Sequence, residues 1–264
     1  MKTLMLIGYG AMADEVINRL PSGIELRWIV AHSHHHDSIL ARFHGKVMPI
    51  SDLNNVTEKP DLVLECASHQ AVKQYAPAIL QSGWTLAIIS TGALADAELA
   101  QNLTELARQH GGQLIPLSGA IAGLDGLRAA KESNISQVTY QSRKSLASWR
   151  NSPAEHYIDL NSVTEPTIFF QGSAREAALN FPANANVAAT VALYGIGMDA
   201  TQVQLMVDPT TQHNSHKIEV KGDFGHFCIE LNGQPLPSNP KTSLLSALSA
   251  VEICRRIAEH KSII

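Results

Sequence analysis

The chain has 264 residues, 45% of them hydrophobic and 17% charged, with a formal net charge of −4. That is enough apolar material for one large domain or two small ones. The mild acidity, with no run of like charges, excludes a nucleic-acid backbone as partner, and no apolar stretch reaches the ~18 residues of a membrane span.

The opening "MKTLMLIGYG" has one lysine and a short apolar run, as a signal peptide does, but the glycines and the acidic "ADE" that follow do not fit a cleavage region. A first strand over Thr3–Ile7 is the better reading. A glycine turn follows. "AMADEVINRL" then spaces Met12, Val16 and Leu20 on one face of a helix. "ELRWIV" (Glu25–Val30), "DLVLECAS" (Asp61–Ser68), "TLAIIS" (Thr85–Ser90) and "QLIPL" read as further strands. They alternate with helices at "AVKQYAPAIL" and "DAELAQNLTELARQH", the second opened by Asp96 as a cap. Strands and helices in alternation predict a parallel, doubly wound sheet with right-handed crossovers.

After about residue 120 the pattern changes. "ISQVTYQSRK" alternates as a half-solvated strand does, "TIFFQGS" and "TQVQLMVDP" are strands, and "SHKIEVKGDFGHFCIEL" is a hairpin turning near Gly222-Asp223. Helices are expected at "SAREAALNF" and "ANVAATVALYGIG". This is an α+β region with an open, mixed or antiparallel sheet. The expected division is 1–118 as a Rossmann domain and 119–240 as an α+β domain that carries substrate contacts and subunit pairing. A last helix over 241–264 returns to the first domain. Cys66, Cys228 and Cys254 are odd in number and widely spaced, which suits reduced thiols in a cytoplasmic protein.

"GYGAMA" places Gly8, Gly10 and Ala13 in the pattern G-x-G-x-x-A, between a strand and a helix. Gly8 permits the tight turn and Gly10 a close approach to a pyrophosphate. Ala13 allows close helix–strand packing, and the helix start at Ala11 and Met12 supplies amides. Ligands of such sheets bind beyond the carboxyl ends of the strands. That adds Ala67 and Ser68 after one strand, and Ser90, Thr91 and Gly92 after another, as residues facing the cofactor. An acid usually closes the second strand and holds the ribose hydroxyls of NAD; here the chain reads "AHSHHHD". Ser33 and His34 donate hydrogen bonds and repel no phosphate, so NADP is expected to be tolerated beside NAD. A solvated loop without ligand preference is the alternative. No functional metal is expected, because the histidines have no partner cysteine and no H-E-x-x-H spacing.

Beyond the turn, "ECAS", "STGALAD", "LSGAIAGLDGL", "FPANANVAA", "DPTTQHNSHKIEVKGDFG" and "NPKTSLLSALS" follow one another along nearly the whole chain. Together they resemble the L-aspartate dehydrogenase family. The resemblance implies a Rossmann domain followed by an α+β domain. The reaction it implies is NAD- or NADP-dependent oxidation of L-aspartate to iminoaspartate, which hydrolyses to oxaloacetate and ammonia or enters NAD synthesis. It implies His216 as the catalytic histidine, with Asn214 two residues before it, and cofactor contacts at Ala120 and Asn186. The chemistry agrees, because a histidine with an ordinary pKa of about 6.5 can both take and give the protons of imine formation and hydrolysis. A dicarboxylate needs cationic or amide partners. Lys241 and Thr242, expected at the start of the last helix where amides are free, and Asn186 meet that need. A homodimer paired through residues 135–240 is expected. The alternatives are another two-domain oxidoreductase, such as a homoserine dehydrogenase or dihydrodipicolinate reductase, and a cofactor-sensing protein without turnover.

Overall fold

A computed structural model describes residues 1–259, so the part of the expected last helix at 260–264 lies outside the described residues. The chain divides into two units. One is Met1–Leu117 with the segment from Ala247 onward, and the other is Ser118–Ser246.

The first unit begins with β1 (Lys2–Ile7), α1 (Ala11–Asn18), β2 (Ile24–Val30), α2 (His36–Arg42) and β3 (Met48–Ile50). It continues with β4 (Leu62–Glu65), α3 (His69–Gln81), β5 (Thr85–Ile88), α4 (Ala97–His110) and β6 (Gln113–Pro116). The six strands lie in the order β3-β2-β1-β4-β5-β6, and every pair is parallel. The central strands are apolar on both faces. Leu4, Met5 and Leu6 of β1 and Leu62, Val63 and Leu64 of β4 are buried in unbroken runs, as a sheet covered on both sides requires. The strand order reverses between β1 and β4. At such a switch point the crevice beyond the strand ends is the ligand position of this architecture. Local chemistry sets the helix limits. The Asp96 carboxylate accepts from the Leu99 amide at 3.2 Å, and Gly111 ends α4 at φ +67°, the left-handed conformation glycine adopts without strain.

The second unit runs α5 (Leu124–Ala130), β7 (Ile135–Lys144), α6 (Leu146–Trp149), β8 (Thr167–Ser173), α7 (Ala174–Asn180) and α8 (Asn186–Tyr194). Then follow β9 (Gln202–Val207), β10 (Asn214–Gly222), β11 (Gly225–Gly233), β12 (Pro235–Leu236) and β13 (Asn239–Ser243). Its main sheet has the order β11-β10-β7-β9-β8. Only β7 and β9 run parallel, so the sheet is mixed and open. On β7, Val138, Tyr140, Ser142 and Lys144 are buried while the residues between them are partly exposed; this is the period of two that sends alternate side chains to opposite faces.

The chain ends its described part with α9 (Leu244–Glu259). Ala250, Val251, Ile253 and Cys254 of α9 join the core built on Leu4, Leu6, Ile29, Leu62 and Leu64. The start of α9 corrects one expectation. Lys241 and Thr242 are not at a helix N-terminus but on β13, which pairs antiparallel with β12 through Leu236↔Asn239 and Pro235↔Ser243. The helix opens only at Leu244, whose amide donates to the Gln234 carbonyl at 2.8 Å. Strand pairing wins here because a short hairpin satisfies these backbone groups before the helix begins. Among the described residues no helix is long and apolar enough to cross a membrane.

Candidate active site

The first unit carries the glycine turn. Gly8 sits at φ +108°, and a Cβ there would stand 3.0 Å from both the Ala67 Cβ and the Cys66 carbonyl oxygen. The turn therefore crosses close over the end of β4, which only glycine permits. Gly10 caps α1 in extended conformation, and no side chain caps the helix. A Cβ on Gly10 would meet nothing within 4 Å. Ala13 is buried against the sheet. The amides at Ala11 and Met12 open a helix that no side chain caps, at the positive end of its dipole, which is the cradle a pyrophosphate takes. These residues fit a dinucleotide.

The ends of β4 and β5 are joined by a residue that the sequence reading did not single out. Glu65, the last residue of β4, is fully buried. Its carboxylate accepts from the Ala67 amide at 2.7 Å, the Ser90 amide at 3.0 Å and the Ser90 hydroxyl at 2.9 Å. Burial pushes its pKa up, and the donors of Ser90 and Ala67 pull against that shift. Two of the expected cofactor positions are therefore tied together by one side chain. Their hydroxyls have structural duties: the Ser90 hydroxyl is given to Glu65, and the Ser68 hydroxyl accepts from the Ala71 amide at 3.2 Å as the cap of α3. Thr91 and Gly92 are buried in the turn that follows β5. A lone acid closing an otherwise apolar "LVLE" was the available signal for Glu65.

At the end of β2 the histidines form a short 3-10 turn over Ser33–His35 that leads into α2. Ser33 and His34 are exposed. His34 lies 4.0 Å from His35, centroid to centroid, and His35 meets the Tyr9 ring edge-on at 5.6 Å. Desolvation, then the neighbouring His34, lower the His35 pKa. His36 folds back instead, its Nε2 lying 3.2 Å from the Ala31 carbonyl and 3.2 Å from the Ser51 hydroxyl, so it stitches β2 to the chain after β3. Among the described residues no three His, Cys, Asp or Glu side chains are grouped to hold a metal.

In the second unit His216 is buried at mid-sheet, 2% exposed. Its Nδ1 lies 2.7 Å from the Tyr140 hydroxyl, and its Nε2 lies 3.5 Å from the Ser243 hydroxyl. Burial, then the charge of Lys144, hold the His216 pKa down to about 3. Burial also lowers Lys144 to about 8 and raises Tyr140. The imidazole is thus neutral at neutral pH, tethered at Nδ1 and only weakly engaged at Nε2. Asn214 serves the scaffold: its Nδ2 donates to the Pro240 carbonyl at 3.2 Å, holding β10 against β13. Thr242 accepts from the Asn239 amide at 3.2 Å, and the side chain of Lys241 lies outside the described residues.

Ala120 and Asn186 form a second grouping. A Cβ on Gly119 would lie 3.8 Å from Val187, so buried Ala120 sits near the start of α8, where half-buried Asn186 is the first residue. Ala185 precedes that helix without a side-chain cap. The neighbouring Asn184 is buried with neither Oδ1 nor Nδ2 hydrogen-bonded in the described structure. An orphaned buried amide costs about 1–3 kcal/mol. The sequence reading passed over Asn184, because only burial separates it from the solvated asparagines of the chain.

Comparison with known proteins places this geometry. The family described as "Aspartate dehydrogenase, C-terminal" matches residues 125–257, and "Homoserine dehydrogenase, NAD binding domain" matches residues 8–116. The chain is 59% identical over 259 residues to an L-aspartate dehydrogenase of Serratia proteamaculans, with 98% of each chain covered. It is 50% identical over 259 residues to one from Acinetobacter baumannii, again with 98% of each covered. A crystal structure of aspartate dehydrogenase from Thermotoga maritima superposes with a TM-score of 0.75 at 25% identity, covering 100% of this chain and 98% of that one. A nicotinamide-binding Rossmann unit, a second unit built around a buried histidine and relatives matched over nearly their whole length lead to one conclusion: the chain belongs to the L-aspartate dehydrogenase family of oxidoreductases.

Proposed function

We propose that the protein oxidises L-aspartate with NAD or NADP, giving iminoaspartate and then oxaloacetate and ammonia. The observation that carries this reading is His216, a neutral imidazole buried on a sheet and tethered through Nδ1 to Tyr140. The nicotinamide, when bound, supplies the hydride acceptor. Gly8, Gly10, Ala11, Met12 and Ala13 hold the pyrophosphate, and Ala67, Ser68, Ser90, Thr91 and Gly92 line the position beyond β4 and β5. Ala120 and Asn186 add cofactor contacts, with Asn186 also available to the substrate.

His216 moves protons at Nε2. Tyr140 keeps its own proton, because burial raises its pKa. It accepts the Nδ1–H bond and so fixes the tautomer with a free Nε2 lone pair. That nitrogen takes a proton from the substrate ammonium, releases it to solvent, and is then free to take one from the water that adds to the imine. The carboxylates of the substrate offset the Lys144 charge that depresses His216, so the imidazole becomes more basic once substrate is present. The exposed Ser33 and His34 beyond β2 offer hydrogen bonds and no repulsion to a 2′-phosphate, which supports use of NADP. The open mixed sheet, with edges at β11 and β8, supports pairing of two copies through residues 135–240, and the free cysteines support a cytoplasmic setting.

Absorbance at 340 nm with each dinucleotide and a panel of L-amino acids tests the reading. Aspartate-dependent reduction is expected with both cofactors. Dinucleotide binding without turnover of any amino acid would favour a sensor instead.

A further inference from the structure

The rings beyond β2 form a row that leads back to the glycine turn. His32 and His34 are stacked at 5.8 Å with an interplanar angle of 11°. His34 lies 4.0 Å from His35, and His35 meets Tyr9 edge-on at 5.6 Å. Tyr9 stands between Gly8 and Gly10. The Gly8 amide donates to the Val30 carbonyl at 2.9 Å, which ties the turn to the last residue of β2. The row therefore runs from the pyrophosphate cradle to the place where this architecture holds the adenosine ribose. His32 and His34 are exposed and His35 is half-buried, so the imidazoles are open to an arriving ligand. On its own turn His35 faces His34, His32 and His36, whose charges, after desolvation, lower its pKa. On the glycine turn it faces Tyr9. Arg42 of α2 lies 5.8 Å from the Tyr9 ring centroid and hydrogen-bonds that residue. Its guanidinium is already paired with Asp14 of α1 at 2.5 Å. Asp37, in the first turn of α2, is exposed. The permanent cation beside the row is thus neutralised, and the imidazoles bring charge only when protonated. Packed this closely they repel one another once charged, unless an anion sits among them.

We propose that His32, His34 and His35 together form a phosphomonoester site that takes the 2′-phosphate of NADP along with a proton from solvent. This inference rests on the reading of the first unit as a site for both NAD and NADP. An opposite charge within about 4–6 Å favours the charged form of an imidazole, so the phosphate raises the pKa of the rings it touches. Proton uptake and binding are then linked. NADP binds more tightly as pH falls toward the ordinary histidine value of about 6.5. NAD carries a neutral hydroxyl in place of the phosphate and takes up no proton, so pH sets the ratio of the two affinities. Ionisation of the phosphate works the other way. A phosphomonoester has a second pKa of about 6 and gains charge as pH rises. A gain in NADP affinity on acidification therefore comes from the imidazoles.

Fluorescence titration of the full chain with NADPH and with NADH, from pH 8 down to pH 6.5, reads that ratio without turnover. It should shift toward NADPH by roughly fourfold for one histidine raised by one pH unit, and by more if two rings respond. Titration with 2′,5′-ADP against 5′-ADP should show the same shift without the nicotinamide. The double variant His34→Gln, His35→Gln should flatten it. His34→Arg, with a charge that does not titrate in this range, should favour NADPH already at pH 8 and also flatten the shift. In wild-type NMR spectra, 2′,5′-ADP should move histidine ring titrations to higher pH, and inorganic phosphate at the same concentration should not. A pH-independent ratio in the wild type, a shift retained in the double variant, or an equal response to inorganic phosphate overturns the site. If the variants do not fold, the wild-type ratio and ring titrations decide. NADH binding with no NADPH binding at any pH refutes use of NADP itself, whereas NADPH binding with a flat ratio refutes only the coupling to protons.

Discussion

Replacing Glu65 tests how the dinucleotide unit is held together. The carboxylate accepts the Ala67 and Ser90 amides and the Ser90 hydroxyl, with Ala67 N and Ser90 Oγ on one oxygen and Ser90 N on the other, and the Ser68 amide also donates to it. Glutamine keeps the shape and has only one accepting oxygen. Whichever way its amide turns, an N–H is set against a backbone N–H, and a buried donor loses its partner. The cost is about 1–3 kcal/mol for that donor. Part is offset because the neutral amide is cheaper to bury than a carboxylate whose pKa burial already raises. Glu65→Ala orphans these amides and opens a cavity, and should cost about 2–6 kcal/mol. Urea unfolding followed by circular dichroism gives the stability change from the midpoint at constant slope. NADH fluorescence gives the dissociation constant of the variant that remains folded. Glu65→Gln is expected to weaken NADH binding by roughly tenfold, the equivalent of one hydrogen bond, because Ala67 and Ser90 are no longer tied in place. Wild-type stability and wild-type NADH affinity in Glu65→Gln would refute the idea that this side chain positions the two strand ends.

His216→Asn should lower turnover by ~10² or more and leave NADH affinity unchanged. Its stability should also change with pH. The fold holds His216 at about 3 against an ordinary 6.5, so protonation favours the unfolded chain. The histidine's contribution is whole above pH 6.5 and is lost as pH falls toward 3. The stability difference between wild type and His216→Asn should move against the wild type by about 3 kcal/mol between pH 7 and pH 4; a pH-independent difference in urea midpoints would contradict a buried neutral imidazole. Ser33→Asp puts a negative charge beyond β2 and should shift the kcat/KM ratio toward NAD by at least ~10-fold through repulsion of the 2′-phosphate. An unchanged ratio would place the ribose away from the histidine turn.

The strands and the glycine turn were legible because their signals are local. β7 falls on the limits read from alternation, "TIFFQGS" is the strand β8, and Asp96 announced the start of α4. β3 and α2 escaped notice: a three-residue strand has no period to read, and the histidine run masked the helix after it. Thr242 was misplaced because proline followed by polar residues ahead of an apolar run reads as a helix cap, while the β12 partner that claims those backbone groups is itself only two residues long. Among the site residues, Gly8, Gly10 and Ala13 declare their backbone role by type. Glu65, Lys144 and Asn184 did not, since a charged or amide side chain looks the same in sequence whether it faces solvent or is enclosed by strands far away along the chain. Alternation on β7, which puts Lys144 in one row with Val138, was the one clue available.

The contribution of α9 to the first core has a consequence for how the chain is made. Residues that close the nucleotide-binding core, Ala250 to Cys254, are synthesised about 130 positions after the strand β6 that ends the rest of it at Pro116. The intervening unit, Ser118–Ser246, is contiguous and has its own sheet to assemble while the earlier segment still lacks its final helix. Folding during synthesis is therefore expected to run out of sequence order, with the middle of the chain complete before its beginning. Loss of the α9 contacts would then be felt at the opposite end of the sequence, as failure of the dinucleotide unit to hold its apolar interior.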